Sequence, residues 1–312
     1  MANWLVTGGA GFIGSHLTDA LIARGDRVRV LDDLSTGDRA NLPDSVDLIV
    51  GDAADPAALD QALDGVDGCF HLAAIASVQR GVEEWVATHR ANLTATISIF
   101  DAIRRSGRCV PVVYASSAAV YGNGGAAPID ESSDRQPLSA YGADKLGCEL
   151  HARVAGHVHG IPAAGLRFFN VYGPRQDPRS PYSGVISIFC NRIRAGQPVT
   201  IFGTGRQTRD FVHVADVVAA LLAAMTHADA TAPVFNVCTG RGTTVRTLAE
   251  TIAQLCARPL EARSERARPG EIEHSVGNPS RAQAGLGFVA RRNLQDGLAD
   301  VLAWMNGTAA EA

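Results

Sequence analysis

The stretch Thr7-Gly8-Gly9-Ala10-Gly11-Phe12-Ile13-Gly14 constrains this chain more than any other. An apolar run, Trp4 to Thr7, precedes it. A segment with helical spacing, Phe12 to Arg24, follows, with Ile13, Leu17 and Leu21 on one face. Strand, glycine turn and helix in that order open a βαβ unit. Gly8, Gly11 and Gly14 allow a tight turn, close approach of backbone to a pyrophosphate, and close packing of helix on sheet. The helix start, with Phe12 and Ile13 in its first turn, adds N–H donors and a partial positive charge. A second strand, Arg27 to Leu31, runs into Asp32, 18 residues past Gly14. An acid there accepts from both ribose hydroxyls of NAD and repels the 2′-phosphate of NADP, and no arginine directly follows it. NAD is therefore the expected cofactor.

Strands and helices go on alternating. Asp47 to Val50, Gly68 to Leu72 and Val110 to Ala115 read as strands. Ala57 to Leu63, Val82 to Arg105 and Ala140 to His159 read as helices. Apolar strands separated by helices predict an α/β protein: a Rossmann-type, doubly wound parallel sheet covered on both faces. Asp52 and Ala53 follow the third strand, where they would meet the adenine. Leu72, Ala73 and Ala74 follow the fourth, where small residues let a cofactor lie against the strand ends.

After Phe168 the texture changes. Asn170 to Ser183, rich in Pro, Gly, Arg and Ser, reads as a loop. Strand-like pieces (Pro198 to Phe202, Val234 to Val237) then alternate with helices (Val185 to Ala195, Val214 to Ala228, Val245 to Cys256), and Glu265 to Glu273 reads as a charged loop. The expected division is a dinucleotide-binding domain over 1–168 with a return segment at about 204–233. A smaller mixed α/β substrate domain takes 169–203 and 234–306, and 307–312 form a frayed tail.

A net charge of −4 and the lack of a long basic stripe make nucleic acid a poor partner. Six widely spaced cysteines and scattered histidines offer neither a zinc site nor a disulfide framework. The N-terminus does not read as a signal peptide, and no apolar run reaches the ~18 residues of a membrane span. Cytoplasmic localisation is expected.

Tyr141 and Lys145, four apart at the start of a helix, share one face. Ser117 follows the fifth strand, in a loop that a doubly wound sheet turns toward the same crevice. A phenol, which ordinarily ionises near pH 10, needs about 4 kcal/mol of help to act as a base near neutrality. An ammonium at ~4 Å in an effective dielectric of ~20 supplies about that much. The three residues form a catalytic candidate: a phenolate base, a cation that sustains it, and a hydroxyl that relays or orients.

TGGAGFIG, SSAAVYG, YGADK and RFFNVYGP, in this order, resemble the extended short-chain dehydrogenase/reductase family, and within it the NAD-dependent UDP-galactose 4-epimerase branch. The resemblance runs to about Trp304. It implies Tyr141 as acid/base, Lys145 as holder of the nicotinamide ribose, and Ser117 as proton relay. Family dehydratases carry an acid after the serine, to protonate a departing hydroxyl. Here Ala118 and Ala119 follow Ser117, which favours epimerisation through a transient 4-keto sugar over dehydration.

The resemblance further implies a UDP-linked sugar held by Asn170, Val185, Thr200, Phe202, Arg209, Arg268, Glu271 and Ser275, with Phe168 beside the nicotinamide. Arginine suits a diphosphate through its forked donors. Ser275 resembles a gatekeeper beside the sugar's 2-substituent, where a small residue leaves room for an N-acetyl group. Arg175 or Arg179 could instead face the carboxylate of a uronate, so a UDP-glucuronate epimerase stays open. So do an NADP-dependent ketoreductase, which Asp32 disfavours, and an NAD-binding sensor, which would typically lack the tyrosine–lysine pair. A homodimer through the helices near 82–105 and 140–159 is also implied.

Overall fold

The computed structural model describes residues 1–125, 128–177, 184–267 and 272–310. In the first half β1 (Asn3–Thr7), α1 (Phe12–Ala23), β2 (Arg27–Asp32), β3 (Asp47–Val50), α2 (Pro56–Leu63) and β4 (Gly68–His71) alternate. Then come α3 (Val78–Glu83), α4 (Trp85–His89), α5 (Ala95–Ser106), β5 (Val112–Ser117), α6 (Ala140–His159) and β6 (Ala163–Phe168). The second half holds β7 (Asn170–Tyr172), α7 (Val185–Arg194), β8 (Val199–Phe202), β9 (Thr208–His213), α8 (Val214–Met225) and β10 (Val234–Val237). It closes with β11 (Gly242–Thr244), α9 (Val245–Leu255), β12 (Ala262–Glu265), β13 (His274–Ser275), α10 (Ser280–Leu286) and α11 (Leu294–Ala310).

Seven parallel strands form the large sheet in the order β10-β6-β5-β4-β1-β2-β3. Alternate residues of each strand feed opposite cores, as the period of two requires. Val6, Phe70 and Val113 pack with Leu17, Leu21, Val217 and Leu221 of α1 and α8. Leu5, Cys69 and Tyr114 pack with Leu59, Ile99, Ile103 and Cys148 of α2, α5 and α6. A third core joins Tyr172, Phe189, Phe211, Leu248, Ile252 and Leu298 around a small sheet ordered β11-β9-β13, with β7 also paired to β9. The expected doubly wound sheet and smaller mixed half are both present. No helix among the described residues is long and apolar enough to cross a membrane.

Local detail departs from the sequence reading in several places. Val82 to Arg105 is not one helix. Glu84, at φ −127° and ψ 53°, breaks it between α3 and α4, and a π-helical turn at Arg90–Thr94 separates α4 from α5. That wider turn carries the buried Asn92, whose amide is needed elsewhere. Asn170 opens a strand, β7, because its backbone meets β9 at Phe211. β10, which the reading placed in the smaller half, hydrogen-bonds to β6 as an edge of the large sheet. Glu265 ends a strand, β12, paired with β8. The tail expected to fray from Gly307 continues as helix to Ala310.

The first turn of α1 presses on the glycine loop: a Cβ at Gly14 would overlap the Gly8 carbonyl oxygen. Backbone on backbone leaves no rotamer to absorb the clash. Gly14→Ala should therefore lower the unfolding free energy by about 2 kcal/mol or more, measured by urea denaturation. A value within about 0.5 kcal/mol of the parent would contradict this packing.

Candidate active site

The three glycines of the first turn are held for different reasons. Gly8 sits at φ +70°, and a Cβ there would lie 2.6 Å from the Ala73 nitrogen. Gly8 and Gly14 are thus required by the protein's own packing. Gly11 is not: its Cβ would meet only the Gly8 oxygen, at 3.2 Å. Gly11 is also the N-cap of α1, with no side-chain cap and no acid in the first turn. The leading N–H groups of Phe12, Ile13 and Gly14 have no acceptor within the helix. An anion lying against Gly11 would supply one.

Asp32 ends β2 almost fully buried. One carboxylate oxygen accepts from Ala10 N and the other from Leu34 N, both at 2.9 Å. Burial raises its pKa, and the two N–H bonds oppose that rise. Each oxygen keeps a lone pair for a further donor. Asp52 accepts from Ala54 N at 2.7 Å and pairs with Arg90 at 3.0 Å, and Ala53 beside it is buried.

Residues that the sequence reading passed over fix the loop of Leu72, Ala73 and Ala74. Ala73 N donates to Thr7 Oγ1 (3.2 Å), which lies 2.7 Å from His71 Nδ1. His71 Nε2 lies 3.0 Å from Thr96 Oγ1, which donates to the Asn92 carbonyl. Those donors fix the direction of the chain: Thr7 donates to Nδ1 and Nε2–H donates to Thr96. Burial, then the Lys145 charge, push the His71 ionisation down to about 3, so it is neutral near pH 7. Asn92 accepts from Ile75 N at 2.8 Å and donates to Ile75 O at 3.3 Å, pinning the far end of the loop. A neutral histidine leaves Lys145 as the cation at this point of the crevice.

Ser139 caps α6 by accepting from Gly142 N at 3.1 Å, and Tyr141 and Lys145 occupy its first turns. The Lys145 amine is buried and lies 5.8 Å from the Tyr141 ring centroid. Ser117 ends β5 beside Phe168 of β6, and its Oγ accepts from Ala119 N at 3.1 Å. A short 3-10 turn, Ala118–Tyr121, follows. Gly142 packs on that turn, where a Cβ would stand 2.6 Å from the Ala119 oxygen. The helix carrying Tyr141 and Lys145 therefore rests directly on the turn behind Ser117. Phe168 is almost wholly buried and contributes to the sheet core.

Three of the expected sugar-nucleotide residues gather on β9. Asn170 pairs with Phe211, and Ser275 pairs with Arg209 in register. Arg209 Nη1 donates to the carbonyls of Ile272 (2.8 Å) and Thr208 (2.9 Å). Thr200 and Phe202 lie apart from these on β8, in a two-stranded sheet with β12. Val185 begins α7. Arg268, Glu271 and Arg179 lie outside the described residues. Arg175 does not stand free to meet a sugar carboxylate, because it pairs with Asp19 of α1 at 2.8 Å.

Known proteins share this fold. The model of the NAD dependent epimerase/dehydratase family matches residues 4–238. A UDP-glucose 4-epimerase of Mycolicibacterium smegmatis is 36% identical over 306 residues, 95% of this chain and 96% of its own. The crystal structure of the Thermotoga maritima UDP-glucose 4-epimerase with UDP-glucose is similar at TM-score 0.94 and 34% identity, over 98% of this chain and 99% of that one. The Thermus thermophilus UDP-glucose 4-epimerase complexed with NAD is similar at TM-score 0.91 and 35% identity, over the same shares, 98% and 99%. A glycine loop, an aspartate tip and a serine–tyrosine–lysine set on a seven-stranded sheet thus coincide with a match over most of the sequence, and the chain belongs to the NAD-dependent epimerase/dehydratase family.

Proposed function

We propose that this protein is an NAD-dependent 4-epimerase of a UDP-linked hexose. The observation that carries the reading is the seating of Tyr141 and Lys145 on the turn behind Ser117, with Ala118 and Ala119 where an eliminating enzyme needs an acid. Gly11, the uncapped start of α1 and the tip of Asp32 fit a dinucleotide: donors for the pyrophosphate, an acceptor for the ribose. Bound NAD would supply the hydride acceptor and donor. The chain's own groups handle the proton. Tyr141 takes it from the C4 hydroxyl as the 4-keto sugar forms and returns it after the keto sugar has turned over in the pocket. Lys145 sustains the phenolate, and Ser117 relays or orients the proton.

Arg209, with Arg268 and Glu271 by family resemblance, would hold the nucleotide diphosphate and ribose. Val185, Thr200 and Phe202 would border the base, and Asn170 the sugar. The ion pair with Asp19 engages Arg175, which leaves Arg179 as the arginine on which a uronate reading would rest. Ser275, beside Arg209, leaves room for an N-acetyl group. Free cysteines, most of them buried, suit a reducing cytoplasm. Val82, Trp85 and Val86 of α3 and α4 and Leu150, Val154 and Val158 of α6 are exposed on helices that pack together, which supports a homodimer through this face.

Tyr141→Phe should cut turnover of UDP-galactose by about 10³-fold while leaving the bound NAD, measured after heat release, unchanged. Near-parental turnover would end this mechanism. Ser275→Tyr should reduce kcat/KM for UDP-N-acetylglucosamine at least ~10-fold and spare UDP-glucose. Equal turnover of the N-acetyl sugar by variant and parent would remove the gatekeeper role. Light scattering should find the parent a dimer and Val154→Glu a monomer; a monomeric parent would overturn the proposed interface.

A further inference from the structure

We propose that Arg167 and Glu149 are positioning residues, which set Tyr141 and Lys145 against Ser117; this rests on the role given to Tyr141 above. Arg167 is an arginine in an otherwise apolar strand, Ala-Ala-Gly-Leu-Arg-Phe, and is 2% exposed. Its Nε donates to Glu149 Oε1 at 2.8 Å and its Nη2 to Oε2 at 2.7 Å, a two-pronged fork. Ser116 Oγ donates to the same Oε1 at 2.6 Å. Arg167 Nη1 donates to the Tyr121 hydroxyl at 2.7 Å and the Glu131 carbonyl at 3.2 Å. The Tyr121 hydroxyl donates onward to Asn236 Oδ1 at 2.6 Å.

Stability alone is a weak reason for such a pair. Desolvating two charges offsets most of their attraction, and apolar replacements are often neutral or better. The location gives a better reason. Tyr141, Lys145 and Glu149 follow one another at intervals of four along α6, so they share a face. Ser116 and Arg167 are register partners one residue before Ser117 and Phe168. Tyr121 ends the turn that begins behind Ser117. One guanidinium therefore grips the catalytic helix through Glu149 and the serine turn through Tyr121. The fork fixes both the rotation of α6 and its height above the tips of β5 and β6. A slip of one residue along a helix is about 1.5 Å, and a misplacement of ~1 Å can cost ~100-fold in rate.

The test compares the NAD-loaded parent with Glu149→Met/Arg167→Met, which removes both charges together, and with Arg167→Lys, which keeps the charge and breaks the fork. Both variants should keep parental NAD content and a KM for UDP-glucose within about threefold of the parent, while kcat falls about 10- to 100-fold. The acid limb of the kcat–pH profile should also move up by about one pH unit, as Lys145 serves Tyr141 less well. A double variant that folds and turns over within about threefold of the parent, with an unmoved pH profile, overturns the proposal. Should the double variant not fold, Arg167→Lys decides alone by the same criteria. A parent inert toward every UDP-sugar, or a fully active Tyr141→Phe, overturns the functional reading and this inference with it. An active, Tyr141-dependent parent whose variants match it overturns only the inference.

Discussion

The contact between the first turn of α1 and the Gly8 carbonyl is the constraint on which the rest of the architecture hangs. It leaves no room for a side chain at Gly14, and the left-handed Gly8 leaves none against Ala73. These two close approaches set the distance of α1 from the sheet and join the tip of β1 to the loop after β4. The crevice at the carboxyl ends of the strands is the space left over. It lies where an open parallel sheet offers its ligands backbone donors and strand-end side chains together.

Buried charge does the second part of the assembly. Asp210 of β9 is fully buried and accepts from Thr239 N and Oγ1 and from Gly240 N and Gly277 N. It thereby ties the small sheet to the end of β10 in the large one. Arg167 links β6, α6 and the turn after β5 in the same manner. In both cases a charged group satisfied from several elements at once fixes their relative position, which packing of apolar surfaces alone does less specifically.

Much of this was legible in the chain. The glycine loop, Asp32 and the alternation of apolar strands and helices announced the sheet, because local turn chemistry and the periods of two and 3.6 are written in neighbouring residues. Tyr141 and Lys145 were legible for the same reason, being one helical turn apart. Asn92 was not. Its burial depends on a π-helical turn and a loop 17 residues away, and neither has a sequence signal. His71 likewise looked like any strand residue. Arg167 did carry a hint: a charge inside an apolar strand demands a partner. Glu149, four residues after Lys145, was the partner on offer, but only the packed structure brings them together.

The break at Glu84, the return of β10 to the large sheet and the pairing of Arg175 with Asp19 were also beyond reach of local reading. The last two depend on groups far apart in the chain. The sequence by itself determined the doubly wound sheet, the dinucleotide loop and the placing of Tyr141 and Lys145 on one helix face, since these rest on periodicity and on spacing between near neighbours. Tertiary structure alone decided which charges are buried and with whom, since a charge in a low-dielectric interior is held by whatever partner the whole fold brings within reach.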